Sequence, residues 1–212
     1  FNSTRSGTSL IILDPNLEDL EDNCENQHPL TNPKDNDLLC KKLMVRMQEI
    51  LLWHAWPKFT PKEDEVLPMK CTISIFDRTK KLPDPRYISP FDKLTIALNK
   101  ARKKEEKIFS IRPKRLLGYV GVQNCSYDSE IDQRFRNLLG DDSLIPNKLA
   151  HFALLRPAEL VVKYLTRNVE EGQDQWCGVF ICDNNKEIEQ SFAKSEPPSH
   201  DDWNSQSLDD NY

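Results

Sequence analysis

The chain has 212 residues, of which 38% are hydrophobic and 30% charged, with a formal net charge of −5. That length suits one sizeable domain with ordered appendages. The longest apolar runs, LLGYVGV and WCGVFIC, fall far short of the ~20 residues that a membrane-crossing helix needs, so no membrane partner is expected.

The first residues, FNSTRSGTSLIIL, lack the basic start and long apolar stretch of a secretory signal. Six cysteines are scattered rather than concentrated, and several sit inside apolar runs where a free thiol behaves as a small hydrophobe. A reducing, cytoplasmic setting is therefore expected. SLIIL reads as a short strand, and the acidic, proline-punctuated segment after it completes an extended arm over residues 1–36.

An amphipathic helix is expected from Asp37, where DLLCKKLMVRMQEILLW puts Cys40, Leu43, Met44, Met47, Ile50 and Leu51 on one face. MKCTISIF alternates with the two-residue period of a strand and breaks at Asp77. After the linker KKLPDPRYISP, a second helix carries Phe91, Leu94, Ile96, Ala97, Leu98 and Ala101, and its last turns are almost wholly charged. RLLGYVGVQ then reads as a strand, SEIDQRFRNLLG as a short helix closing on Gly140, and LAHFALL as another strand. PAELVVKYLTRNVEEG reads as a helix opened by Pro157 and ended near Gly172, WCGVFIC as a strand, and NKEIEQSFAK as a final helix.

Strands that are continuous apolar runs, alternating with helices, predict a layered α/β domain. Its sheet is expected to be largely parallel or mixed, with helices on both faces, over residues 37–195. A proline-hinged acidic tail follows over residues 196–212.

Charge is unevenly spread. From Arg78 to Arg115 there are thirteen Lys/Arg against four Asp/Glu, whereas residues 1–39 carry two against eight and residues 116–212 eight against seventeen. An acidic molecule with a basic middle suits a polyanion bound at the centre. The candidate polyanion-binding residues are Arg78, Lys80, Lys81, Arg102, Lys103, Lys104, Lys107, Arg112, Lys114 and Arg115. Tyr87, Phe91 and Phe109 lie among them, as aromatics do on nucleic-acid surfaces. The plainer reading is a solvated helix face with favourable charge at its C-terminus.

Three strands end in aspartate, at Asp14, Asp77 and Asp183. Converging carboxylates would hold Mg²⁺ for phosphoester hydrolysis, although aspartate is equally at home in the turns that follow strands. In SEPPSHDDW the prolines forbid a regular helix. Glu196, His200, Asp201 and Asp202 therefore read as a docking segment anchored by Trp203 rather than as a metal or acid/base site. Cys125 is the least unsuitable catalytic thiol, with acidic neighbours against it. No dinucleotide fingerprint, phosphate loop, nucleophile elbow or zinc-protease motif occurs.

These features favour a non-catalytic accessory subunit of a larger intracellular assembly, without a cofactor. Protein subunits are its partners through the terminal arms, and nucleic acid is the partner that its basic middle suits. The competing expectation is a Mg²⁺-dependent hydrolase or nuclease using the three aspartates.

Overall fold

The computed structural model describes residues 37–62, 69–126, 134–170, 172–197 and 202–203. The expected strand SLIIL and Asp14 lie outside the described residues, as do His200 and Asp201. Among the described residues no helix is long and apolar enough to cross a membrane.

The fold is mixed α/β. Helix α1 (Asp37–Ala55) leads through a 3-10 turn at Trp56–Phe59 to the hairpin β1 (Thr72–Ile75) and β2 (Arg78–Lys81), followed by α2 (Phe91–Arg102). Strands β3 (Lys107–Phe109) and β4 (Leu116–Cys125) come next, then the short α3 (Arg136–Leu139). The chain continues through β5 (Ala150–Leu155), β6 (Val161–Thr166), β7 (Gln175–Cys182) and α4 (Lys186–Lys194). Five strands form one sheet in the order β3-β4-β7-β5-β6, and β1-β2 form a separate two-stranded sheet.

The five-stranded sheet is mixed. Only β5 and β7 run parallel, and the pairs β3/β4, β4/β7 and β5/β6 are antiparallel. The reason lies in a correction to the helix expected from Pro157 to Gly172. Its middle, VVKYLT, is β6, paired with β5 from His151 opposite Thr166 to Leu155 opposite Val161. β-branched and aromatic side chains favour a pleated, half-buried surface. The two residues read as helix ends serve turns instead. Pro157 lies in a turn closed by Arg156 N–H donating to Leu160 O, and Gly172, at φ +83°, belongs to the turn ahead of β7. The connection between the parallel strands is thus a strand rather than a helix.

Helix α1 buries two stripes instead of one. Cys40 and Met44, with Leu43, Met47 and Leu51 beside them, pack against Ile73 and Ile75 of the hairpin. Val45, Leu52 and Trp53 enter the main core with Leu94, Ala97, Leu98 and Val179. Ile50, expected on the apolar face, is 42% exposed because the helix is held from its other sides. Glu49, fully buried on α1, accepts from Ser143 Oγ and from Ile145 N–H and pairs with Arg46, so the loop before β5 is tied to the helix.

Alternation along β7 divides its side chains. Cys177 and Val179 enter the core under α1 and α2, whereas Phe180 and Cys182 meet Ile188 and Phe192 of α4. The tail continues that second cluster. The Trp203 ring lies 4.5 Å from Phe192 and 6.1 Å from Phe180, centroid to centroid. Its Nε1 donates to Glu196, which is also bound by Arg156, and Lys163 Nζ donates to Asp202 at 2.7 Å.

At the end of α1, Trp53 stacks on Tyr164 at 4.1 Å, and Tyr164 Oη donates to Trp53 O while accepting from Trp56 Nε1. His151 stands edge-on to both rings and accepts from Ala150 N–H at Nδ1, and burial holds its pKa below the ordinary 6.5. The unfolded imidazole protonates at its ordinary value, so this contribution is complete above pH 6.5 and is lost as pH falls toward the lower folded value. Stability measured by urea unfolding is expected to drop from pH 7 to pH 5. His151→Phe should make that drop shallower, and an unchanged slope would remove His151 as a cause.

Candidate functional site

Helix α2 lies directly across β4 and β7. The approach is closest at Gly121, where a Cβ would stand 2.0 Å from Ala97 O and 2.7 Å from Ala101 N. This seating carries the C-terminus of α2 to the end of the sheet at which β5 and β7 finish. There a cleft of about 380 Å³ opens, lined by Lys62, Arg102, Lys103, Lys104, Tyr119 and Glu159 among others. Ligand clefts in sheets with parallel strands favour such carboxyl ends.

Arg102 builds the cleft wall. Its Nε and one terminal nitrogen hold both oxygens of Glu159, at 3.1 and 2.8 Å, and its remaining donors go to Pro61 O, Asn99 Oδ1 and Thr60 O. A guanidinium has five N–H groups, and five acceptors surround this one. The ion pair is largely shielded, with side chains 13% and 12% exposed. Arg102 therefore joins α2 to the loop before Lys62 and to the β5–β6 turn, and has nothing left for a ligand.

Tyr119 forms the floor. Its Oη donates to Asp183 Oδ2 at 2.9 Å, and Asp183 Oδ1 accepts from Asn185 N–H. That hydrogen bond, together with burial, pushes the Tyr119 phenol above its ordinary value. The Lys104 ammonium sits 5.0 Å over the Tyr119 ring, a cation–π arrangement. Lys104 also holds φ at +61°, immediately after the last residues of α2, where helices most often place glycine.

The basic run continues from the cleft along the sheet edge. Lys107 is paired opposite Tyr119, so the two side chains share a face. All three residues of β3 are exposed, with Ile108 and Phe109 at 42% and 45% and Ile111 in the following turn at 91%. Lys114 Nζ lies 5.3 Å over the Phe109 ring, and Arg115 reaches Glu187 of α4 at 3.4 Å. Residues 103–115 thus form an edge that carries six cations against two exposed carboxylates, Glu105 and Glu106, with apolar side chains set into it. No protein-family model, curated protein or solved structure matches the chain. The geometry alone carries the functional reading.

The basic stretch read from sequence divides in two. Arg78, Lys80 and Lys81 lie on β2 in the separate hairpin, where Arg78 pairs with Asp37 at 2.5 Å. Lys103, Lys104, Lys107, Arg112, Lys114 and Arg115 belong to the cleft rim and the main-sheet edge. Among the aromatics, Phe91 is fully buried and unavailable for stacking, Tyr87 is 77% exposed beside Arg86, and Phe109 lies on the edge itself.

Of the three strand-end aspartates, the two that are described stand at separate sheets. Asp77 lies in the β1–β2 turn and Asp183 follows β7, with both its oxygens engaged. Among the described residues no group of three or more His, Cys, Asp or Glu is placed to hold a metal ion. Cys125 is buried and its thiol is pushed up, chiefly by that burial, which is opposite to what a nucleophile needs. Glu159 and Tyr119 carried no separate signal in the sequence. A tyrosine within LLGYVGV and an aspartate after FIC were the visible halves of one hydrogen bond.

Proposed function

We propose that this chain is a non-catalytic member of a larger assembly that binds nucleic acid along the β3 edge and meets other protein chains through its acidic ends outside Glu196, Asp202 and Trp203, which are held by its own domain. One observation carries the reading. Lys107 is paired opposite Tyr119, over whose ring the Lys104 ammonium also lies, and this supports a shared basic face at the start of the β3 edge. Lys103, Lys104, Lys107, Arg112 and Lys114 are the phosphate-binding residues, and Phe109 and Ile111 offer apolar surface to bases. Lys and Arg that cluster on one edge act together on a phosphate backbone, whereas a merely solvated helix face would scatter them.

Charge reversal tests it. Lys107→Glu with Lys114→Glu, both at exposed positions, is expected to weaken binding of single-stranded oligonucleotides by at least about tenfold, read by fluorescence anisotropy at low salt. The same change at Lys80 and Lys81, on the separate hairpin, should leave binding nearly intact. Equal losses from both pairs would mean that net charge, rather than this edge, governs binding.

A further inference from the structure

We propose that the cleft where β5 and β7 end is a binding site for a phosphomonoester, either the terminal phosphate of a nucleic-acid strand or a small phosphorylated molecule. The strand-end source rests on the nucleic-acid reading above; the small-molecule source does not.

Size comes first. A cleft of about 380 Å³ is within the range that holds compact ligands. The balance of charge comes second. Among the described residues, Lys62, Arg102, Lys103 and Lys104 line it against one carboxylate, Glu159, with Asp183 just beneath Tyr119. Both carboxylates are already engaged, Glu159 by Arg102 and Asp183 by Tyr119 and Asn185 N–H. Arg102 is spent on the protein, so the charge offered to a ligand is that of the Lys103 and Lys104 ammonium groups. A phosphomonoester carries close to two negative charges at neutral pH, one more than a diester or a carboxylate, and matches two ammonium groups best.

Lys104 follows the end of α2 and carries its ammonium over the ring of Tyr119, which also lines the cleft. The rest of the cleft fits the remainder of such a ligand, because Pro157 and Ile181 give an apolar wall and Asn99, whose Oδ1 is taken by Arg102, keeps its amide N–H groups.

The test is isothermal titration calorimetry on the full chain with two matched pairs of probes. One pair is adenosine 5′-monophosphate and adenosine; the other is a single-stranded oligonucleotide with and without a 5′-phosphate. The phosphorylated member of at least one pair is expected to bind about tenfold more tightly, and Lys103→Glu with Lys104→Gly should abolish that advantage. Lys107→Glu with Lys114→Glu should leave the advantage in place while weakening both oligonucleotides. Lys104→Gly relieves the left-handed backbone, so Tm should hold or rise and a lost advantage cannot be put down to unfolding. An advantage confined to the oligonucleotide pair identifies a strand end, and one shared by the monophosphate identifies phosphomonoesters generally. No advantage in either pair, or one that survives the Lys103 and Lys104 changes, overturns the proposal. Failure of the unphosphorylated oligonucleotide to bind at all would instead remove the nucleic-acid reading.

Discussion

Replacing Gly121 by valine is expected to cost about 3 kcal/mol of folding free energy and to lower Tm by roughly 10 °C. The physical reason is that the added Cβ meets backbone. Ala97 O and Ala101 N lie 2.0 and 2.7 Å from its position, and neither can rotate away as a side chain would. Relief requires lifting α2 from β4, which uncovers Leu94, Leu98 and Ala101, all essentially inaccessible to solvent. Gly178 supplies the comparison, since its added Cβ would meet the Phe152 ring, a side chain able to shift. Gly178→Ala should therefore cost less than Gly121→Ala when both are measured by urea unfolding. The reverse order would mean that α2 is not seated on β4 in this way. Any lifting of α2 also displaces Arg102 to Lys104, so the Gly121 variants that remain folded should lose binding.

Arg102→Ala is expected to be destabilising by about 3–5 kcal/mol, because it strips the largely shielded Glu159 carboxylate of both its donors and takes the same guanidinium from Thr60 O, Pro61 O and Asn99 Oδ1. The side chains are only 13% and 12% exposed, so solvent screens the pair little. Glu159→Gln keeps the size of the side chain and an oxygen for the guanidinium and should cost less. The double variant Arg102→Ala with Glu159→Ala should lose clearly less than the sum of the two single changes, since once Arg102 is gone no stranded carboxylate remains. Additive losses would show that the two residues act separately. Lysine is a poor replacement at 102, as it cannot reach Thr60 O, Pro61 O, Asn99 and Glu159 from one planar group.

Periodicity made much of the fold readable. The alternation in CTISI, the unbroken runs of β4, β5 and β7, and the spacing of Ile188 and Phe192 each correspond to an element of the right type. β6 is hidden because Pro157 and Gly172 look like helix ends, although the run VVKYLT between them is rich in β-branched and aromatic residues. β3 was hidden for a different reason. It has three residues, all exposed, and exists through its ladder to β4 rather than through any pattern of its own. Single-stripe reasoning also fell short at α1, where contacts on two sides leave Ile50 outside and Glu49 inside. The cleft was still less visible, since it combines Lys62, the end of α2, Tyr119 and Glu159, which are distant in sequence. What could be read was the density of cations after Ala101. What could not be read was that Arg102 among them is bound to the protein while Lys103 and Lys104 line the cleft.

The salt dependence of oligonucleotide binding tests the central claim most directly. Five cations at the edge, Lys103, Lys104, Lys107, Arg112 and Lys114, predict that log K falls with log salt concentration with a slope of about −3.5 on a single strand. Lys107→Glu with Lys114→Glu should make that slope shallower by about 1.4. A slope near zero, or one that these two changes leave untouched, would contradict the account.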